Sequence, residues 1–357
     1  MSLFSSDSKT RLGIDIGTAS IKVTELTKES NRFVLSNYGI FEAEPNEEAT
    51  SVVRLSNDDL VSGIQQILQA THIKTRYAIA SIPSFPTFST TITMPYLSED
   101  EVAKAIPFEA RKYIPVPLSE VRLDWAIVNV HKDQKKLASA PAEPKNQPNI
   151  EVFLVAVPKE EVARYQTIMK DAGLNLRALE LENFALARGL VGNDLSPIAI
   201  INMGGRSTSI LIVENGFQRA SHDYEIGGFA VTKSIARALG VNMRRAEELK
   251  RDFGIRNDTD NIVRQAMTSL VDMMAFETNK TIHNYEDQHK TKIAKIMIVG
   301  GLSNMPSFLE YFGEKLGRSV SPGNPLARVV IGPQLEWARK ELNSTFVVSI
   351  GLAMREI

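Results

Sequence analysis

The 357-residue chain carries 41 Lys plus Arg against 42 Asp plus Glu, a formal charge of −1, so no global field draws it to nucleic acid, and its 43% hydrophobic content can fill two or three domain cores. It has no cysteine, which removes disulfides, thiolate catalysis and Cys-ligated zinc or iron–sulfur centres. The polar start Met1-Ser2-Leu3-Phe4-Ser5-Ser6-Asp7-Ser8 lacks a signal peptide's apolar core, and no stretch reaches the roughly 20 apolar residues of a membrane span. Cytoplasmic residence is expected, with any membrane attachment made through a partner.

Alternation of apolar and polar residues predicts a strand over Arg11–Ile16, a tight turn at Gly17-Thr18-Ala19-Ser20, and strands over Ile21–Leu26 and Arg32–Phe41. Leu60, Ile64, Ile67 and Leu68 at helical spacing predict a helix over 58–70, and Tyr77–Ile82 returns to strand. From Pro83 the texture becomes that of a small α+β insertion, 83–158. Its expected parts are a strand at Phe88–Met94, a helix capped by Ser98 with Glu101 at the third helical position, and strands at Val121–Val130 and Ile150–Pro158. Val102, Ile106 and Ala110 form that helix's inward face, Pro107 kinks it, and Pro115 and Pro117 end it. Residues 131–149, rich in Lys, Ala, Pro and Gln, read as an exposed hairpin excursion.

Glu160–Ala172 then reads as a helix stopped by Gly173, followed by a strand at Leu176–Glu180 and a helix from Asn183 to Gly189. A second strand, turn and strand follows in Pro197–Asn202, residues 203–208 and Ser209–Glu214, laying Asn202-Met203-Gly204 over Asp15-Ile16-Gly17. Two such units half a chain apart point to two similar domains facing across a cleft. Gly227-Gly228 opens a helix over Phe229–Leu239, and residues 246–250 lie on another. Residues 260–289 suit further helices whose Met side chains fill a core. The strand Ala294–Val299 ends at Gly300-Gly301, where Ser303 or Asn304 can cap a helix over Pro306–Leu316.

Several of these turns carry candidate chemistry. Gly17 permits a sharp reversal that aims the amides of Thr18, Ala19 and Ser20 at an anion, with the Thr18 and Ser20 hydroxyls as further donors. Asp15, ending an apolar strand, can order a water on a magnesium ion bridging phosphates, and Lys22 can add positive charge, although alternation leaves its direction open. Gly204, Gly205, Arg206, Ser207 and Thr208 repeat the amide-plus-hydroxyl device. Each loop alone also fits an ordinary glycine hairpin; the pair favours a two-sided phosphate clamp. Gly228 precedes a helix, while Glu247 and Lys250, three apart, share a helical face that suits ribose hydroxyls or an adenine edge, or else a solvated ion pair. Gly300 and Gly301 allow close approach of a flat base, with Ser303 and Asn304 beside it. The five histidines form no HExxH pattern.

The order of these motifs resembles the ATPase fold of actin, heat-shock chaperones and sugar kinases. It resembles more closely the FtsA-like PilM family of type IV pilus assembly, through 13–22, Ile114-Pro115-Val116-Pro117-Leu118 with Leu123-Asp124-Trp125, residues 246–250, Gly300-Gly301 and Ile350-Gly351-Leu352-Ala353-Met354-Arg355. The resemblance implies an α/β, two-lobed actin-like ATPase fold with an inserted FtsA-type 1C subdomain. Its implied boundaries are 1A at 1–82, 159–195 and 341–357, 1C at 83–158, 2A at 196–225 and 291–340, and a mainly helical 2B at 226–290. It implies ATP and Mg2+ as ligands, Asp15 as the residue serving the metal, and the N-terminal cytoplasmic peptide of PilN as partner. The family's groove between 1A and 1C makes Phe108, Tyr113 and Trp125 candidate peptide contacts, though each fits a core role equally. The implied setting is peripheral at the inner membrane, within the pilus assembly complex, with self-association compatible with the fold and no nucleic acid involved.

One departure matters. Asn202 stands where actin-like ATPases commonly place an aspartate, and an amide cannot lend its charge to magnesium-bound water, so slow or absent hydrolysis is expected. No catalytic residue is assignable. The alternative is an actin-like small-molecule kinase transferring phosphate to an alcohol; a chaperone ATPase is disfavoured because no substrate domain follows the nucleotide-binding fold.

Overall fold

The structure is a computed structural model that describes residues 10–17, 20–42, 55–83, 87–131, 149–256 and 262–356. The expected excursion thus lies almost wholly outside the described residues, as do Thr18 and Ala19. The chain divides into two compact units, Ser84–Gln166 and the remainder, Met1–Pro83 with Thr167–Ile357.

In chain order the larger unit opens with β1 (Thr10–Ile16), β2 (Ser20–Glu29), β3 (Arg32–Glu42), α1 (Asn57–Ala70) and β4 (Tyr77–Ile82). The smaller unit supplies β5 (Phe88–Pro95), α2 (Glu99–Ala110), β6 (Val121–His131) and β7 (Asn149–Pro158), after which α3 (Lys159–Asp171) carries the chain back. Next come β8 (Asn175–Leu181), α4 (Glu182–Leu190), β9 (Ile198–Met203), β10 (Thr208–Glu214) and β11 (Phe217–Tyr224). Three helices follow, α5 (Gly228–Leu239), α6 (Met243–Phe253) and α7 (Ile262–His289). The rest is β12 (Lys295–Val299), a 3-10 turn Gly301–Asn304, α8 (Phe308–Leu316), β13 (Ser321–Pro322), β14 (Val329–Val330), a 3-10 turn Pro333–Ala338, α9 (Arg339–Ser344) and α10 (Val347–Ala353).

The larger unit holds two sheets, ordered β14-β3-β2-β1-β4-β8 and β11-β10-β9-β12-β13. Each centres on an antiparallel hairpin, β1/β2 and β9/β10, flanked by a parallel strand, β4 beside β1 and β12 beside β9. The repeat expected from the two sequence units is therefore a repeat of strand pairing. An apolar core joins the sheets: Ile79 of the first, Ile198, Ile200, Leu211, Val213 and Val299 of the second, and Ala185, Leu186, Val347, Val348 and Leu352 from α4 and α10. Every residue of α10 is buried, as a helix apolar on all sides requires. Glycine makes its approach possible. A Cβ on Gly13 would lie 1.9 Å from the Ser349 carbonyl oxygen, and one on Gly351 would lie 2.0 Å from that of Ala185.

Two expectations are corrected in the second half. Residues 262–289 form one 28-residue helix rather than several, with Val263, Met267, Val271 and Met274 inward and Met273 exposed, so that methionine is not core. α8 begins at Phe308, and neither Ser303 nor Asn304 caps it. Ser303 Oγ donates to the Gly300 carbonyl at 2.7 Å, and Asn304 Nδ2 to Ser344 Oγ at 2.6 Å, because the 3-10 turn between strand and helix consumes both side chains.

The smaller unit is the sheet β5-β7-β6 with α2 against one face, its core built from Val102, Ile106, Ala110, Ile150, Val152 and Leu154. The capping box forms: the Ser98 amide donates to Glu101 Oε2 at 2.9 Å and its hydroxyl to the same oxygen at 2.7 Å. Pro107 sits inside α2, which ends at Ala110, earlier than Pro115 and Pro117 demand, because tightened turns from Glu109 and Ala110 to Lys112, Tyr113 and Ile114 close it. Phe108 and Tyr113 project into solvent, 67% and 50% exposed, which removes them from the core; Trp125 packs partly buried against it.

Candidate functional site

Asp15 closes β1 and is 6% exposed. Lys22 faces it directly across the hairpin, Nζ to Oδ2 at 3.4 Å, which resolves the direction that alternation left open. The other carboxylate oxygen accepts from Ser81 Oγ of β4 at 3.1 Å, and Ser81 Oγ in turn accepts the Ile16 amide at 3.4 Å. A carboxylate so held keeps one orientation and needs no rearrangement to meet a ligand.

The two glycine turns share one geometry. The Gly17 amide donates to the Ser20 carbonyl at 3.0 Å, and the Gly204 amide to the Ser207 carbonyl at 2.9 Å. A Cβ on Gly17 would come within 3.0 Å of the Ser20 carbonyl oxygen, and one on Gly204 within 3.1 Å of that of Ser207. Asn202 lies across β9/β10 from Ser209, as Asp15 lies across from Lys22, and Ser209 in turn lies across from Asp223 of β11. The second turn also closes the start of α5, since its Gly204 and Gly205 carbonyls accept the Gly228 amide at 2.9 Å and the Phe229 amide at 2.7 Å. Those two amides are thus spent on the protein rather than offered to an anion.

Not every expected donor points outward. Thr208 is fully buried and its hydroxyl donates to the Ile226 carbonyl at 2.7 Å, so it serves the sheet rather than a ligand. Arg206 reaches Glu225 at 3.4 Å on the surface.

Glu182 lies under the charge of residues from both sheets, and sequence reasoning missed it. It is the first residue of α4, at the carboxyl end of β8, a strand parallel to β4 as β4 is to β1. Burial raises its pKa from 4.5 to about 8, the charges of Asp15 and Asp223 push the same way, and Lys22 opposes. One carboxyl therefore senses both sheets. Asp223 is also raised, loss of solvent outweighing a Ser209 hydrogen bond and the charge of His222. The next residue, Asn183, ties α4 to β11 through Nδ2 to Gln218 Oε1 at 3.2 Å. The missed signal was topological: an acid just past a parallel strand's carboxyl end, where α/β folds gather ligands.

Farther along, Lys250 is buried with Nζ 2.6 Å from Glu247 Oε2, 2.9 Å from Thr232 Oγ1 and 3.3 Å from the Gly228 carbonyl. Burial depresses the ammonium's pKa, with Glu247 opposing. Burial works against the Glu247 charge as well, yet Lys250, Thr232 and Arg251 hold its carboxyl below the usual range. The open ion pair weighed from sequence is thus a closed, desolvated network. Gly300 and Gly301 prove unequal. Gly300 has φ 91°, and a Cβ there would strike the Met203 carbonyl oxygen at 2.2 Å, whereas a Cβ on Gly301 would meet nothing within 4 Å. Only Gly301 leaves open space. Among the described residues no group of three or more His, Asp and Glu side chains could hold a metal by itself.

Paired hairpin sheets with helices between them give an α/β protein of the actin-like ATPase fold. The chain is similar to a solved PilM–PilN type IV pilus biogenesis complex, with TM-score 0.79, 22% identity and coverage of 97% of this chain and 98% of the other. It is also similar to the ethanolamine utilization protein EutJ from Carboxydothermus hydrogenoformans, with TM-score 0.58, 16% identity and coverage of 99% and 91%. MreB5 of Spiroplasma citri bound to AMPPNP follows at TM-score 0.51, 12% identity and coverage of 94% and 98%. Residues 13–357 match the family described as Type IV pilus assembly protein PilM, and the chain belongs to that family.

Proposed function

We propose that this chain binds Mg–ATP between its two glycine hairpins, hydrolyses it slowly or not at all, and acts as a cytoplasmic scaffold of type IV pilus assembly by holding the N-terminal tail of PilN. Family membership supports the pilus role, and the related fold bound to AMPPNP supports the nucleotide. In this reading the first sheet is lobe 1A, the second is 2A with α5 to α7 as 2B, and the Ser84–Gln166 unit is the FtsA-type 1C insertion. The boundaries follow the resemblance, with 83–158 as 1C and 341–357 returning to 1A, except that β14, paired with β3, counts with 1A in this reading. The chain then sits peripherally at the inner membrane through its partners; no described helix is long and apolar enough to cross one.

The observation that carries the nucleotide reading is the matched pair of turns, Gly17 to Ser20 and Gly204 to Ser207, with Glu182 under the charge of residues from both sheets. Such a pair offers backbone amides to a triphosphate from two sides. The residues fit the ligand. Asp15, fixed by Ser81 and flanked by Lys22, can order a water on the magnesium ion; Glu247, held in place by Lys250, presents a fixed acceptor to a ribose; and the open space at Gly301 admits a base. Bound magnesium would supply charge neutralisation of the phosphates. Asn202 removes one carboxylate from the second hairpin, which supports slow turnover.

Titration calorimetry with ATP, with and without Mg2+, tests the ligand. Asp15→Ala should cost at least about tenfold in magnesium-dependent affinity with the fold intact by circular dichroism. Unchanged affinity removes Asp15 from the role, and rapid phosphate release by the parent protein rejects the scaffold reading in favour of an enzyme.

A further inference from the structure

Arg251 of α6, which helps to hold the Glu247 carboxyl, also ties that helix to the first sheet. Its Nε donates to Glu247 Oε1 at 2.9 Å, while Nη2 lies 3.7 Å from Oε1 of Glu42, the last residue of β3 in the first sheet. Glu341 of α9 joins the group: burial raises its carboxyl pKa, Glu42 adds to the shift and Arg251 opposes it. The other Glu247 oxygen already accepts from Thr232 at 2.6 Å and Lys250 at 2.6 Å, so Arg251 alone holds Oε1. A guanidinium fork can serve two carboxylates at once, where an ammonium on a flexible stem fixes neither direction as well.

We propose that Arg251 is a positioning residue that orients Glu247 for a ribose hydroxyl and, through Glu42, makes that orientation depend on α6 being drawn against the first sheet. This rests on the nucleotide reading above and deepens it, assigning to the Arg251–Glu42 pair the control of how long a bound ribonucleotide stays. The chain of contacts runs without a break from Thr232 of α5 through Glu247 and Arg251 of α6 to Glu42 of β3, so separation of these helices from the first sheet pulls on the sugar's acceptor directly. Arg251 and Glu42 side chains are 63% and 58% exposed, so the bridge is a solvent-screened one that opens readily and weakens with salt.

The test measures release of Mg–ATP by stopped flow for the parent, Glu42→Gln, Arg251→Gln and the double variant. Glu42→Gln should speed release about two- to five-fold, the scale of an exposed pair. The double variant should release no faster than Arg251→Gln alone, because both break one connection. Raising salt should speed release from the parent and not from Glu42→Gln. Arg251→Gln should narrow the preference for ATP over 2′-deoxy-ATP, whereas Arg244→Gln, a surface change on the same helix, should leave that ratio unchanged. Additive rates, or an unaltered ribose preference, overturn the proposal. Because the chain has no cysteine, labels on cysteines introduced at Arg32 of β3 and Arg244 of α6 report the separation of α6 from the first sheet without any nucleotide. Should the parent bind no ATP, the nucleotide reading falls by itself. A distance distribution that Glu42→Gln fails to broaden then overturns the bridge as well.

Discussion

Glu182 shows how one side chain acquires its chemistry from strands far away in sequence. In isolation it is an ordinary carboxyl; beside Asp15 and Asp223 and short of water, it holds its proton up to about pH 8. The sign follows from linkage. With the folded pKa raised above the unfolded 4.5, the native state binds the extra proton between those values, so this group's contribution to stability falls as pH climbs from about 4.5 to about 8. Glu182→Gln should therefore raise the melting temperature most at pH 8 to 9 and hardly at pH 4, flattening the decline; an identical pH slope in the variant would remove the raised pKa. Asn202 was legible from its type alone, since an amide lacks a charge in any fold. Thr208 was not, because a hydroxyl serves a ligand or a carbonyl equally until its surroundings are known, and here it holds Ile226.

The glycine-bearing turns and the strands around them were the most readable elements. Period-two alternation marks β1 and β2, short apolar runs mark β9 and β10, and the capping box marks the start of α2, because these signals depend only on near neighbours. The two glycines after β12 looked alike and are not. Gly300→Ala must adopt a φ of 91° and push its Cβ into Met203, so it should destabilise the fold by about 2 kcal/mol or more and lower the melting temperature measurably. Gly301→Ala meets open space, so it should leave the melting temperature nearly unchanged while weakening ATP binding. If both variants melt like the parent, the packing role of Gly300 is wrong; if Gly301→Ala binds ATP normally, the base lies elsewhere. For α7, helical periodicity was evident across the segment, but continuity through 28 residues depends on α5 and α8 packing against it.

In the proposed scaffold reading, the exposed aromatics of the Ser84–Gln166 unit are the candidate peptide anchors. Phe108 carries Arg111 5.7 Å from its ring centre, and Tyr113 follows the end of α2; both leave large apolar faces in water, where aromatic anchors gain most on burial by a peptide. Phe108→Ala and Tyr113→Ala should each shift stability by no more than about 0.5 kcal/mol, yet weaken binding of a synthetic PilN N-terminal peptide about tenfold or more. Trp125→Ala, which strips a ring packed on the unit's core, should instead lower stability. Full-strength peptide binding by both surface variants would move the contact away from α2.

Local order was determined by the amino-acid sequence itself: alternating strands, two glycine turns half a chain apart, helix starts and the missing second aspartate all arise from residues a few positions from one another. Only the folded chain decided that Lys22 faces Asp15, that Ser81, 66 residues away, steadies the same carboxylate, and that Glu182 answers to charges of both sheets. Such meetings depend on sheet order and on helices α4 and α10 filling the space between the sheets, which no short window of residues encodes.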